Sequence, residues 1–316
     1  MGVEGADGPD LSRLDPVAAE VMARKQVLPA DADMATRRHE FATRAAWLHP
    51  VAIRPGEVAG EDQVIDGPHG PVPVRVYAPR PGVWDDVIVH FHGGGWIVGG
   101  LDETDSAARG LARICGATVV SVDYRLSPEH PYPAAIQDGT AVIEAMAGRR
   151  PRWLALTGDS AGGNLAASLA NAFRGLVDAQ LLWYPALDPR QETDSYRELG
   201  TGLNLTTAGL RFNWECYAAP EHRTRPQVSP AFEADLAGVP AAVIATAGFD
   251  PLRDEARHYA ARLIEAGVEV HYLPAATLPH GWVDMIDRVP AAERAFTASV
   301  SALAGLRDRA VAEPNG

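Results

Sequence analysis

Ser160 sits in the pattern Gly158-x-Ser160-x-Gly162, between the apolar run Trp153 to Leu156 and an alanine- and leucine-rich stretch with helical spacing. An apolar run, a glycine-flanked serine and a helix read as strand, sharp turn and helix. Such a turn lifts the serine hydroxyl clear of the sheet and sets the next N–H, that of Ala161, at a helix N-terminus. A hydroxyl so placed can attack a carbonyl carbon if a base takes its proton. Asp250 follows the apolar run VIATAGF, and His280 follows VEVHYLPAATLP, each where a strand is expected to end, and both come after Ser160. In that chemistry His280 accepts the serine proton and returns it to the leaving group, while Asp250 fixes the imidazole tautomer and stabilises the imidazolium.

In a chain with 30 glycines the five-residue pattern alone reads equally well as a helix-capping serine. The stretch HFHGGGWIVGG separates the two readings. His92-Gly93-Gly94-Gly95 follows the expected strand Asp86 to Phe91, and consecutive glycines let bare N–H groups approach a substrate oxygen. Gly94, Gly95 and Ala161 are the expected oxyanion donors, with Gly93 next in line. A phosphate loop needs Gly-Lys-Ser or Gly-Lys-Thr, and Lys25 is the only lysine. A dinucleotide fingerprint needs a helix opening straight from the glycines, whereas Trp96, Ile97 and Val98 intervene. His90 and His92 form an H-x-H pair with no third ligand cluster, so no metal is expected. His39, His49, His69, His222, His258 and His271 carry no partner pattern. Trp96, Leu210, Trp214 and Trp282 are candidates to line an acyl pocket, each reading equally as plain core.

The elements that must position these groups follow from hydrophobic period. Asp15 and Pro16 open a one-sided helix from Leu14 to about Leu28, and a second runs from Met34 to Trp47. An amphipathic pair ahead of any strand must bury its stripe, and a lid over the sheet's working edge is one solution. Glu57 to Asp66 and Val72 to Ala78 read as an antiparallel hairpin. Thereafter strands at Asp86 to Phe91, Ala117 to Asp123, Trp153 to Thr157, Val177 to Trp183, Ala241 to Ala247 and Val268 to Leu273 are interleaved with helices. That alternation implies an α/β fold with a mostly parallel sheet and helices on both faces. Between Asp188 and about Ala231 the alternation stops. A helix from Thr206 to Ala218 puts Leu210 and Trp214 on one face, and an excursion of this length is expected to serve function. The expected organisation is N-terminal helices over 1–50 and a catalytic domain over 51–316, with a second cap segment at about 188–226. The ends, Met1 to Asp10 and Ala312 to Gly316, carry no pattern for structure.

Composition excludes several classes. The balance of 28 Lys plus Arg against 41 Asp plus Glu, net −13, disfavours nucleic acid and anionic membrane as partners. The acidic first residues form no secretory signal and no stretch reaches membrane-helix length, so a cytoplasmic location is expected. Cys115 and Cys216 fall in helical stretches without paired spacing and read as buried thiols.

Five motifs in order, HGGGW (92–96), DYRLSPEHPYPAA (123–135), GDSAGGNLA (158–166), FDPLRDEA (249–256) and HGW (280–282), resemble the hormone-sensitive lipase family, the bacterial family IV esterases. The resemblance spans about Val87 to Trp282. It implies an α/β-hydrolase with a helical cap, acting without a cofactor on carboxylic esters of short to medium acyl chains, and often dimeric. It carries nucleophile, acid and base onto Ser160, Asp250 and His280. It also implies that Tyr124, Arg125 and Glu129 brace the oxyanion loop and that Arg253, Asp254 and Glu255 brace the acid loop. Trp96, Trp282 and Phe249 depart from the family's usual phenylalanine, phenylalanine and tyrosine. The same triad could serve an amidase or peptidase. A non-catalytic binding protein, as in the plant hormone receptors similar to this family, would lack the histidine that stands here as His280.

Overall fold

A computed structural model describes residues 9–26, 28–29, 31–49 and 53–312. Of the chain ends read as patternless, 1–8 and 313–316 lie outside the described residues. In chain order the elements are α1 (Pro16–Met22), α2 (Met34–Leu48), β1 (Glu61–Gly67), β2 (Gly70–Tyr77), β3 (Asp86–Phe91), α3 (Asp105–Cys115), β4 (Thr118–Val122), α4 (Ala134–Gly148), β5 (Trp153–Asp159), α5 (Ala161–Ala172), β6 (Ala179–Trp183), α6 (Asp194–Leu199), α7 (Thr207–Tyr217), β7 (Ala241–Phe249), α8 (Arg253–Glu265), β8 (Val270–Pro279) and α9 (Pro290–Ala312).

The strands form one sheet in the order β1-β2-β4-β3-β5-β6-β7-β8, antiparallel at β1–β2 and β2–β4 and parallel from β4 onward. β3, β4, β5 and β6 are buried along their whole length, which is why they read as continuous apolar runs rather than alternating ones. Alternate residues feed two cores. Val87, Val89, Leu154, Leu156 and Ile244 meet α4, α5 and α8 on one face, and Ile88, Ala155, Leu181 and Val243 meet α3 and α9 on the other. The chain steps from β3 to β4 on one side and then to β5 on the other. This reversal opens a crevice at the carboxyl ends of β3 and β5, the place where parallel α/β sheets bind ligands.

The α/β architecture matches the sequence reading, with shifted bounds. α1 is only seven residues long, although Asp15 caps it as expected, its carboxylate accepting the N–H groups of Val17 and Ala18 at 3.0 Å. β7 and β8 run past Ala247 and Leu273 to Phe249 and Pro279, pairing through an irregularity at Ala247/Phe249. The small and proline residues there carry no strand signal of their own. α6 lies inside the expected excursion, too short to show a period. Cys115 is buried, but Cys216 is partly exposed, because α7 turns it away from the core that Leu210, Trp214 and Tyr217 enter.

Candidate active site

Ser160 follows the last residue of β5 and precedes the first of α5, with φ 53° and ψ −115°, a conformation L side chains rarely adopt. Its backbone is held there: the N–H donates to Trp183 O at 2.9 Å, and its carbonyl accepts Asn164 N–H at 3.0 Å and Ala186 N–H at 3.2 Å. A Cβ on Gly162 would collide with the Phe91 carbonyl, and one on Gly158 with the Gly162 backbone. The flanking glycines are therefore imposed by the press of α5 onto the end of β3. The Ser160 hydroxyl makes no capping bond to α5, so the capping reading fails on geometry.

The hydroxyl meets His280 instead. Ser160 Oγ lies 2.9 Å from His280 Nε2, and His280 Nδ1 lies 2.7 Å from Asp250 Oδ2. Asp250 is completely buried and its Oδ1 accepts Leu252 N–H at 2.9 Å, so the carboxylate is aimed from both oxygens. Asp250 and His280 meet because they leave the ends of the paired parallel strands β7 and β8. The arrangement can move a proton from Ser160 to His280 with charge compensation from Asp250.

Beside the serine stands the glycine loop after β3. Gly94 and Gly95 have φ of 113° and 61°, and side chains there would collide with the Val98 carbonyl and with Asn213. Among the described residues the N–H groups of Gly94, Gly95 and Ala161 have no hydrogen-bond partner. Gly93 is different: its N–H is donated to Asp159 Oδ1 at 2.7 Å, which removes it from the donor set. Asp159 is a residue that motif reading passes over, although it adjoins the serine. Burial and then the charge of Asp284 push its carboxyl well above the usual range. Tyr184, another such residue, sets its ring 4.7 Å from the His280 imidazole and accepts Val283 N–H on its hydroxyl at 3.1 Å.

His92 is buried against Tyr124, rings stacked at 4.2 Å, and its Nδ1 hydrogen-bonds the Gly93 carbonyl at 2.7 Å. Tyr124 also donates its hydroxyl to His92 O at 2.8 Å, a direct brace on the loop. Burial lowers His90 to about 3 and His92 to about 4, so both rings are neutral and structural at neutral pH. Arg125 pairs with Asp138 of α4, and Glu129 pairs at 2.6 Å with Arg38 of α2, whose Nε also donates to Ile97 O at 2.9 Å. On the acid side, Glu255 accepts Leu187 N–H and the Tyr196 hydroxyl, and Asp254 accepts Ser195 N–H. Arg253 Nη2 reaches Glu198 at 3.1 Å.

Of the pocket candidates, Trp96, Leu210 and Trp214 share one buried cluster: Trp96 stacks on Tyr217 at 4.3 Å and tilts against Trp214 at 4.5 Å. Tyr217 was missed although it falls three residues after Trp214. Trp282 lies in the core on the opposite face of the sheet, 5.6 Å from Tyr184, apart from the other three. His49, read as partnerless, pairs with Asp287 at 2.7 Å.

The fold and this constellation define an α/β hydrolase, and residues 88–284 match the alpha/beta hydrolase fold family; the chain belongs to it. It is 40% identical over 258 residues to the esterase LipI of Mycobacterium tuberculosis, covering 77% of this chain and 80% of that protein. It is 41% identical over 248 residues to the carboxylesterase NlhH of the same species, covering 73% and 77%. The solved esterase of Pyrobaculum calidifontis superposes with a TM-score of 0.85 at 34% identity, over 92% of this chain and 99% of that one.

Proposed function

We propose that this chain is a serine carboxylesterase of the hormone-sensitive lipase type, hydrolysing short- to medium-chain esters through an acyl-Ser160 intermediate. The carrying observation is the unbroken contact from Ser160 Oγ through His280 to buried Asp250. Ser160 Oγ attacks the ester carbonyl as its proton passes to His280 Nε2. The tetrahedral oxyanion is received by the unpaired N–H groups of Gly94, Gly95 and Ala161, each worth about 2.7–4 kcal/mol of barrier. His280 then protonates the departing alcohol, and a water activated by the same imidazole releases the carboxylic acid. The relatives named as esterase and carboxylesterase support this reaction over amide hydrolysis, and the presence of His280 speaks against a binding protein without chemistry.

In this reading α1, α2 and the 188–226 segment form a cap. Support comes from a small cluster in which Leu199 and Leu203 pack on Phe249, the residue before Asp250, with Leu14 and Met22 against them. The buried Trp96–Trp214–Tyr217 ring cluster, whose Trp96 directly follows Gly95, supports a preference for short acyl chains. Net charge of −13 argues against nucleic acid as a partner, and among the described residues no helix is long and apolar enough to cross a membrane. Cytoplasmic location and homodimer formation complete the proposal. A panel of 4-nitrophenyl esters from acetate to palmitate, with the matching anilides, tests it: activity should fall from butyrate to palmitate and be lowest on anilides. Faster cleavage of palmitate or of anilides would overturn it.

A further inference from the structure

His280 is held at its backbone as well as at its ring. Its N–H faces Phe249 O at 3.3 Å, and its carbonyl accepts the side-chain amide of Asn204, Nδ2 to O at 2.8 Å. Asn204 comes from the loop ahead of α7, distant in sequence from β8. Its approach explains the next residue: Gly281 has φ 77°, and a Cβ there would stand 2.9 Å from Asn204 Nδ2. Asn204 is in turn fixed from outside. Lys25, the sole lysine of the chain, donates its ammonium to Asn204 O at 2.6 Å. The segment carrying Lys25 is seated on the same neighbourhood, with Asp15 N–H donating to Thr277 O at 2.8 Å. Met22 and Leu14 pack on the Leu199, Leu203 and Phe249 cluster.

We propose that Asn204 is a positioning residue for His280, and that Lys25 locks Asn204 from the N-terminal segment. The chain Lys25 Nζ to Asn204 O, then Asn204 Nδ2 to His280 O, thus completes the base from outside the sheet. This rests on the reading of His280 as the general base. Ring position is the sensitive quantity, since a full ångström of misplacement costs on the order of 10²-fold in rate. Donation to the His280 carbonyl sets backbone and therefore ring, so loss of Asn204 affects turnover rather than substrate affinity.

The test uses the full-length chain with 4-nitrophenyl butyrate. Asn204→Asp, which keeps shape but replaces the donor with an acceptor, and Asn204→Ala should each lower kcat by about tenfold with KM unchanged. Lys25→Met should lower kcat less, Lys25→Arg should restore it, and Lys25→Met with Asn204→Ala together should be no worse than Asn204→Ala alone, since the two act in series. Lys25→Met and Asn204→Asp decide the matter if Asn204→Ala does not fold. Wild-type kcat in Asn204→Asp, a loss confined to KM, or multiplicative losses in the double variant would overturn the proposal. Turnover surviving in Ser160→Ala would instead sink the site reading beneath it.

Discussion

The sheet and the two N-terminal helices are held by different balances of force. β3, β5 and β6, which carry the glycine loop, Ser160 and the strand beside it, are fully buried and held by apolar packing on both faces. α1 and α2 bury little, Ala18 and Val21 from one and Ala45 and Leu48 from the other. Added to that small apolar contact are polar ones: Arg38 to Ile97 O and Glu129, His49 to Asp287, and Lys25 to Asn204. Packing sets the sheet as a unit, whereas α1 and α2 rest on a small apolar contact and a few hydrogen bonds. The two N-terminal helices are therefore expected to loosen one contact at a time while Ser160 stays in place.

The largest contrast should come from one substitution in each region. Gly162→Ala forces a methyl into the Phe91 carbonyl and should cost about 3 kcal/mol or more, read as a fall in the urea midpoint. Arg38→Ala removes a half-exposed ion pair of α2 together with its hydrogen bond to Ile97 O and should cost about 2 kcal/mol or less. Equal losses would end the distinction. A smaller but more specific effect belongs to Asp159. Asp159→Ala frees the Gly93 N–H and lets the oxyanion loop relax, so kcat should drop by about 10²-fold with KM little changed. An unchanged kcat would show that the loop holds itself.

The mildest test is acid. His90 and His92 are lowered to about 3 and about 4 by burial, with the neighbouring His92 adding to the shift of His90. The unfolded chain binds their protons near pH 6.5, so the stability from keeping them neutral is complete above that pH. It drains as pH falls from about 6.5 toward 4. Beside the C-terminal end of α2, burial raises Asp287, but hydrogen bonds from His49 and Ser106 and the charges of His49 and Arg54 outweigh it and hold the carboxyl at about 2, below this window. Urea midpoints between pH 7 and pH 4.5 should decline, and less steeply in His92→Gln. A decline of the same slope in that variant would place the acid sensitivity elsewhere.

The same division decides what was legible in the sequence. The buried strands announce themselves as apolar runs, and Ser160, Asp250 and His280 follow such runs in a fixed order, so a one-dimensional pattern reaches them. Asp159, Tyr184 and Asn204 gain their meaning only from partners brought together by the fold, at Gly93, His280 and His280 again. Gly93 was ranked as a donor because glycine runs look alike until an acceptor claims one member. Trp282 follows His280 by two residues, yet the turn after His280 sends it through to the opposite core. Adjacency in sequence does not fix which face a side chain enters once the backbone turns at a positive-φ glycine such as Gly281.

The proposed reaction depends on Ser160 Oγ as the attacking atom. Incubation with an excess of a fluorophosphonate, followed by intact-mass and peptide mass spectrometry, reads it directly. The proposed mechanism predicts one adduct per chain, on the peptide carrying Ser160, with activity lost in proportion to labelling and neither adduct nor turnover in Ser160→Ala. Stoichiometric labelling of another residue, or turnover persisting in Ser160→Ala, would contradict it.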